Sequence, residues 1–389
     1  MTRGRVPHDV RPGLALLAAL LLIVSAGCSA SPVGSPTTSP TPTPTSSASL
    51  TPVPTPTPSI PADFVPRSAT FISADEGWVL GTTDCGADLC PVIVHTIDGG
   101  RTWARIDAPV TTISTAPRLA EGTTGVAQIR FADALHGWVY GPELWATRDG
   151  GRSWDQLTLP EPLAGAPVVA LEAAAGHVHI VAAAIDAPPA PGFRVASSPI
   201  GDDTWQVAAV RVEIGAGPVP EAQLVVAGSA GWVVSVNRVV TDGARLVDGM
   251  WGAWRPPCAD SLGPGVLAAW SGTGLLAVCD VGLLGDPAGE HLYVSTDGGN
   301  TVVERNGALP FEAAGLVAAA TDSAFFVKAV GDLVASFDAG DTWMTVLETG
   351  SAVRAGYLGF TTETQGVLID DTGMFMTRDG GHTWHQVGF

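Results

Sequence analysis

The stretch Thr96-Ile97-Asp98-Gly99-Gly100-Arg101-Thr102-Trp103 makes the rest of the chain readable. It returns as Thr147-Arg148-Asp149-Gly150-Gly151-Arg152-Ser153-Trp154, as Ser336-Phe337-Asp338-Ala339-Gly340-Asp341-Thr342-Trp343, and as Thr377-Arg378-Asp379-Gly380-Gly381-His382-Thr383-Trp384. A fifth copy, Ser295-Thr296-Asp297-Gly298-Gly299-Asn300-Thr301-Val302, lacks the Trp. Two degraded copies end at Trp205, with Ile200 at the Asp position, and at Trp254, with Gly249 there. The ends fall at 103, 154, 205, 254, 302, 343 and 384, so the steps are 51, 51, 49, 48, 41 and 41 residues. Self-similarity at such a period is the signature of a repeat architecture.

The phrase reads as a hairpin. The Asp can accept hydrogen bonds from backbone N–H groups of its own turn. The glycines supply the positive φ that a tight reversal needs. The Trp on the returning strand can pack between repeats. A second phrase precedes each copy: an apolar strand, a small polar turn, then a small residue before another apolar run. Phe71-Ile72-Ser73-Ala74-Asp75-Glu76-Gly77-Trp78-Val79 and Phe131-Ala132-Asp133-Ala134-Leu135-His136-Gly137-Trp138-Val139 show it best. Each unit thus holds four short strands, and seven such units predict an all-β, single seven-bladed β-propeller over 63–389. Closing the ring leaves no sheet edge open between the first and last blades.

The hairpin phrase resembles the Asp-box, or BNR repeat. The array over roughly 64–389 is similar to the BNR-like propellers of bacterial lipoproteins and to the photosystem II assembly-factor family. Asp-boxes also occur in sialidases, xyloglucanases and sortilin-type receptors, so the resemblance implies fold far more than function. Asp98, Trp103, Asp149, Trp154, Asp297, Asp338, Trp343, Asp379 and Trp384 are read as structural residues, because five copies doing chemistry around one ring is not a mechanism.

The N-terminus reads as an address. Arg3, Arg5 and Arg11 precede an apolar run from Leu14 to Val24 and then Ser25-Ala26-Gly27-Cys28. The run is shorter than the ~20 residues a spanning helix needs and fits a secretory leader. Small residues before a Cys resemble a bacterial lipobox, which implies a signal peptide over 1–27 and diacylation of Cys28. Residues 28–62 hold ten Pro among Ser, Thr and Ala, with no charge. They predict a disordered tether whose polyproline stretches extend at ~3.1 Å per residue. The expected address is the outer face of the cell membrane.

The chain carries 19 Lys+Arg against 38 Asp+Glu, a net charge of −19, and one Lys, Lys328. Without 1–27 the balance is 16 against 37, or −21, so the acidity belongs to the ring. No basic face is available for nucleic acid. The 47 Gly and 31 Pro argue against long helices.

Four cysteines remain besides Cys28. An even number in an exported chain suggests disulfides. Cys85 and Cys90 are close enough to staple one loop, which leaves Cys258 with Cys279. The rival, a zinc site, is weak for a C-x4-C without a second close pair. With strands lettered A to D from the axis outward, the A–B and C–D turns share one face and the B–C and D–A loops the other. All four cysteines map to that second face, as do insertions at 107–124, 183–192, 237–248 and 281–290. Function concentrates on such loops. Candidate polar residues there are Asp107, Arg118, Glu121, Glu143, Arg238, Asp242, Arg245, Asp286, Glu290, Lys328, Asp332, Asp370 and Asp371. His177 and His179 alternate on one strand, a possible but incomplete metal pair; His382 and His385 belong to the last hairpin and are expected to be exposed.

The favoured reading is a monomeric, non-enzymatic binding or assembly scaffold for a protein, peptide or glycan, with no cofactor and no metal. The alternative is a glycoside hydrolase of sialidase-like or xyloglucanase-like type. A sialidase needs an Arg triad and a Tyr paired with Glu; the only tyrosines are Tyr140, Tyr293 and Tyr357, and no Arg triad is recognisable.

Overall fold

A computed structural model describes residues 59–389 apart from 87, 115–123, 185–190, 215–220, 238, 261–264, 281–288, 312 and 352–355. The leader, Cys28 and nearly all of the tether lie outside the described residues, as do Arg118, Glu121, Arg238 and Asp286.

Seven four-stranded antiparallel sheets follow one another along the chain, each built from four consecutive strands. In the first, strands A to D are Val65–Phe71, Gly77–Asp84, Leu89–Thr96 and Ala104–Ile106. The others span 128–156, 168–213, 221–254, 265–308, 313–351 and 357–386. The A strand of each blade adjoins those of both neighbours, blades 1 and 7 included, so the ring is closed.

Position in the blade explains the strand sequences. The B strands lie between neighbouring blades and are buried along nearly their whole length, as in Gly137–Tyr140 and Phe325–Ala329. They therefore read as continuous apolar runs rather than alternating ones. The outermost strands, such as Asp155–Gln156 and His385–Gln386, are exposed and two residues long. Short edges of this kind resist pairing with other chains.

The core is not one mass but seven clusters, each shared by two adjacent blades. Between blades 1 and 2, the fully buried Trp78 stacks on Phe131 with 3.8 Å between ring centroids. The glycine at or just before the start of strand B in blades 1, 2, 5 and 7 has a packing reason. A Cβ on Gly77 would lie 2.3 Å from the Phe71 ring, and one on Gly137 2.5 Å from the Phe131 ring. The aromatic ending strand A thus lies flat across the first residue of strand B.

Blade 4 differs from the sequence expectation. Residues 237–248 are not an insertion: strands Ala230–Asn237 and Val239–Val247 pair almost to their ends, with Asn237 opposite Val239. Val240, Ala244 and Leu246 are buried, so the strand keeps an even-numbered apolar face that its polar residues obscured. The next reversal is a two-residue turn, Asp248-Gly249, with φ of +50° and +76°. Both values suit a type I′ hairpin. This shorter turn moves the structural Trp. Trp251 packs toward blade 3 as the other phrase tryptophans pack toward their preceding blade, whereas Trp254 turns toward blade 5 and donates to the Gly299 carbonyl at 3.0 Å.

Cys85 is bonded to Cys90 in the B–C loop of blade 1. Cys258, in a short 3-10 turn between blades 4 and 5, is bonded to Cys279 at the end of a B strand. Both members of the second pair are fully buried.

Candidate functional site

The Asp-box face is closed by its own hydrogen bonds. Asp98 Oδ1 accepts from the amides of Arg101 and Thr102, both at 2.9 Å, and Oδ2 accepts from the Thr102 hydroxyl at 2.6 Å. The Thr96 hydroxyl donates to Asp98 and accepts from the Gly100 amide, both at 2.8 Å. The same bonds recur around Asp149, Asp297, Asp338 and Asp379. The Thr102 hydroxyl and amide hold Asp98 at about 2, and Ser153 does the same for Asp149. Thr301 and Thr342 hold Asp297 and Asp338 at about 2; at Asp379 burial is the largest single influence and pushes upward, but the bonds from Thr383 and Thr377 together outweigh it and hold the carboxyl at about 2. Carboxylates so held have no proton to give near neutrality; they are turn caps.

Each hairpin also bonds to the A–B turn of its own blade: the Gly99 amide donates to Asp75 O at 2.7 Å, Gly150 to Leu135 O at 3.0 Å, and Gly380 to Thr364 O at 3.0 Å. A–B and C–D turns therefore do share one face.

On the opposite face the candidates scatter. Glu143 accepts from the Thr111 hydroxyl at 2.7 Å and Trp145 Nε1 at 3.0 Å; burial pushes its pKa up, but these bonds prevail and lower it. The Asp107 carbonyl takes Trp154 Nε1 at 3.0 Å, and Asp242 accepts from the Glu213 amide at 2.8 Å. Glu290 opens strand Glu290–Ser295. Arg245 was expected on this face and is not there. It reaches the blade 5 Asp-box, donating to Gly298 O at 2.8 Å and Asn300 Oδ1 at 2.9 Å, because it lies on a strand and not in a loop.

Lys328, Asp332, Asp370 and Asp371 do come together, at the B–C ends of blades 6 and 7. Lys328 is fully buried, and its Nζ donates to the carbonyls of Ala329 and Ser351 at 2.9 and 3.0 Å. Burial lowers its pKa against the pull of Asp370, Asp332 and Asp371. His179 is also a core residue. Its Nδ1 lies 2.7 Å from the Ser197 hydroxyl, and burial holds its pKa at about 4. Among the described residues no group of three metal-ligating side chains converges. His382 and His385 are exposed.

The most concentrated chemistry lies on the axis, in residues the sequence reading missed. The seven A strands enclose a channel of about 620 Å³. Arg130 on blade 2 donates from Nε to Glu172 Oε1 on blade 3 at 2.9 Å. The Tyr357 ring of blade 7 lies 5.2 Å from the guanidinium carbon. Tyr140 donates its hydroxyl to Leu171 O at 3.3 Å. Burial is the largest single influence on Arg130 and acts against its charge, but Glu172, Tyr140 and Tyr357 together outweigh it and leave the pKa raised. Burial pushes Tyr140 up to about 12 and Tyr357 up as well. Across the ring, Gln223 spans both backbone groups of Leu267 at 2.9 Å each. The signal in the sequence was faint: one polar residue in an apolar A strand, as in Gln128-Ile129-Arg130-Phe131.

Comparisons with known proteins agree with this architecture. Residues 54–186 match the family model described as photosynthesis system II assembly factor YCF48. YCF48 from Cyanidioschyzon merolae superposes with a TM-score of 0.54 at 16% identity, covering 82% of this chain and 97% of that one. A structure of YCF48 bound to D1 peptide gives a TM-score of 0.52 at 18% identity, covering 82% and 95%. An ancestral GH74 enzyme gives 0.54 at 12% identity, but the match covers 83% of this chain and only 46% of that one. No curated protein matches the chain significantly. The chain is a seven-bladed propeller of the Asp-box type, similar to YCF48 in sequence over 54–186 and in fold over most of the ring.

Proposed function

We propose that the chain is an envelope lipoprotein whose ring is a non-enzymatic scaffold for a protein or peptide partner. In this reading the leader is cleaved before Cys28, the lipidated Cys28 anchors the chain at the outer face of the cell membrane, and the tether holds a monomeric ring away from the bilayer. The partner meets the face carrying the B–C and D–A loops.

One observation carries the non-enzymatic part. Among the described residues Glu172 is the only acid lining the channel, and it is bound to Arg130. Glycoside hydrolysis needs two carboxyl groups flanking the bond, ~5–10 Å apart. A tyrosine nucleophile needs an activated phenol, and burial pushes both channel tyrosines the other way. The likeness to YCF48, one structure of which is described as bound to a D1 peptide, supports a peptide or protein partner. The net charge of −21 beyond residue 27 favours a basic one.

The test is crosslinking of the full-length protein in intact cells, with a panel of fluorogenic glycosides run beside it. The expected result is a discrete protein adduct and no turnover. Turnover that disappears in Glu172→Gln would reverse the conclusion. Cys28→Ala should release the protein from membranes; retention there would remove the lipid anchor from the proposal.

A further inference from the structure

The ion pair on the axis is only half used. Arg130 spends Nε on Glu172 Oε1, and Nη1 on the carbonyls of Ile129 and Ala69 at 2.7 and 3.4 Å. Its Nη2 and the Oε2 of Glu172 have no partner among the described residues, and neither atom is among the sealed, unpartnered ones. The Arg130 and Glu172 side chains keep 15% and 26% of their surface, and both line the channel. A two-pronged Arg–carboxylate pair would commit both edges. This side-on pair instead presents one donor and one acceptor next to each other.

Such an edge is selective. A free carboxylate would gain Arg130 and meet Glu172 as a like charge; an ammonium would face the reverse. A neutral group with an acceptor beside a donor satisfies both. One residue of an extended chain has this form, since its C=O and N–H project from the same edge, as in the paired residues of an antiparallel ladder. The wall across the ring leaves room beside it, because Ala268, Ala269, Gly315, Ala318 and Ala319 stand there between Leu267, Leu316 and Val317. The volume of about 620 Å³ lies within the range of ligand pockets.

We infer that the channel reads the backbone of an extended peptide segment, with Arg130 Nη2 donating to the C=O of one residue and Glu172 Oε2 accepting from its N–H. This rests on the peptide-binding reading above and adds where the peptide is gripped and by what. The grip is indifferent to side-chain identity beyond what the small-residue wall admits, so the channel favours segments rich in small residues.

The experiment uses the full mature protein in detergent and fluorescein-labelled, end-blocked hexapeptides of Ala, Val and Thr, read by anisotropy. The same peptides are also made with one central amide replaced by an ester, which removes the N–H donor. Binding to the wild type should weaken on the order of tenfold or more for the ester and for Glu172→Gln. Ala269→Phe, which fills the far wall without touching the pair, should remove it. If Glu172→Gln does not fold, the ester and Ala269→Phe carry the test. Hexapeptides that bind all forms alike sit elsewhere, which overturns the channel inference and leaves the scaffold reading standing. No hexapeptide binding at ~1 mM, with a protein adduct still formed in cells, has the same meaning. Failure of both overturns both.

Discussion

Replacing Gly381 by Ala tests how the Asp-box hairpins join the ring. The two glycines of the last phrase sit at positive φ, +74° at Gly380 and +90° at Gly381. An L-residue in that region costs about 1–2 kcal/mol. The positions differ in their surroundings. A Cβ on Gly380 would meet only Glu363 O, at 3.4 Å, but one on Gly381 would lie 2.2 Å from the Phe326 ring of the preceding blade. Phe326 is fully buried and packed against Phe360, Phe337 and Trp384, so it has nowhere to move. Overpacking of this kind adds about 1–3 kcal/mol. Gly381→Ala should therefore cost about 2–5 kcal/mol, against about 1–2 for Gly380→Ala. At roughly 2 °C per kcal/mol for a domain of this size, that is a Tm lowered by roughly 4–10 °C against roughly 2–4 °C. The blade 6 phrase already makes the milder change, carrying Ala339 at φ +60° while keeping Gly340. The series extends around the ring. Gly151 faces the tip of Ile106 at 2.5 Å and Gly100 faces Met376 Sδ at 3.1 Å, both flexible ends, so these alanines should cost less than Gly381→Ala. Calorimetry and urea melts of the four variants measure the order. Equal losses at Gly380 and Gly381 would refute a seam built on the second glycine.

The Asp-box carboxylates make a second prediction. Their pKa falls from 3.8 to about 2 on folding, so their contribution is complete above about 3.8 and is lost as pH drops toward 2. The urea midpoint should hold from pH 7 to about 4.5 and then fall, and Asp149→Asn with Asp297→Asn should lower it throughout but flatten that fall; an unchanged slope would remove the carboxylates as its cause. Replacing Cys258 and Cys279 by Ser should cost about 3 kcal/mol, and replacing Cys85 and Cys90 about 2, because the bonds close loops with separations of 21 and 5 residues. Chemical denaturation of the two double variants checks the order. Arg245→Ala removes two bonds to the blade 5 hairpin and should cost about 1–3 kcal/mol, whereas Arg101→Ala, on an exposed turn, should cost under about 1.

Much of the ring was legible because its determinants are local. The bonds of Asp98 run to residues three and four positions away, so the phrase carries its own structure wherever it recurs. The glycine at or just before the start of strand B in blades 1, 2, 5 and 7 is also local, set by an aromatic four to six residues earlier. Blade 4 was misread because Asp248-Gly249 satisfies the same reversal in two residues, shifting the Trp register without breaking the period. The axis was illegible for the opposite reason. Arg130 meets Glu172 from 42 residues away and Tyr357 from a blade at the other end of the chain. No local pattern marks that meeting, since it exists only once the ring has closed.

Closure itself depends on side chains. Among the described residues no strand passes from blade 7 into blade 1, so the seam has no shared ladder there. It is held by Gln365 donating to Ala74 O at 2.9 Å, by Arg378 donating to Gly99 O, and by Phe389 against Phe64 and Trp103 at 4.8 and 5.3 Å. The residue before the Asp-box Asp does similar work at two more seams, where Arg148 pairs with Asp203 and Phe337 stacks on His382 at 4.0 Å. Between blades 4 and 5, where one hairpin has lost its Asp and the next its Trp, Arg245 and Trp232 both donate to Gly298 O instead. Repeats that decay in sequence are thus compensated by neighbours across the seam. A ring held in this way keeps its A strands at fixed distances, which is what lets Arg130, Glu172 and Tyr357 face one another from three blades.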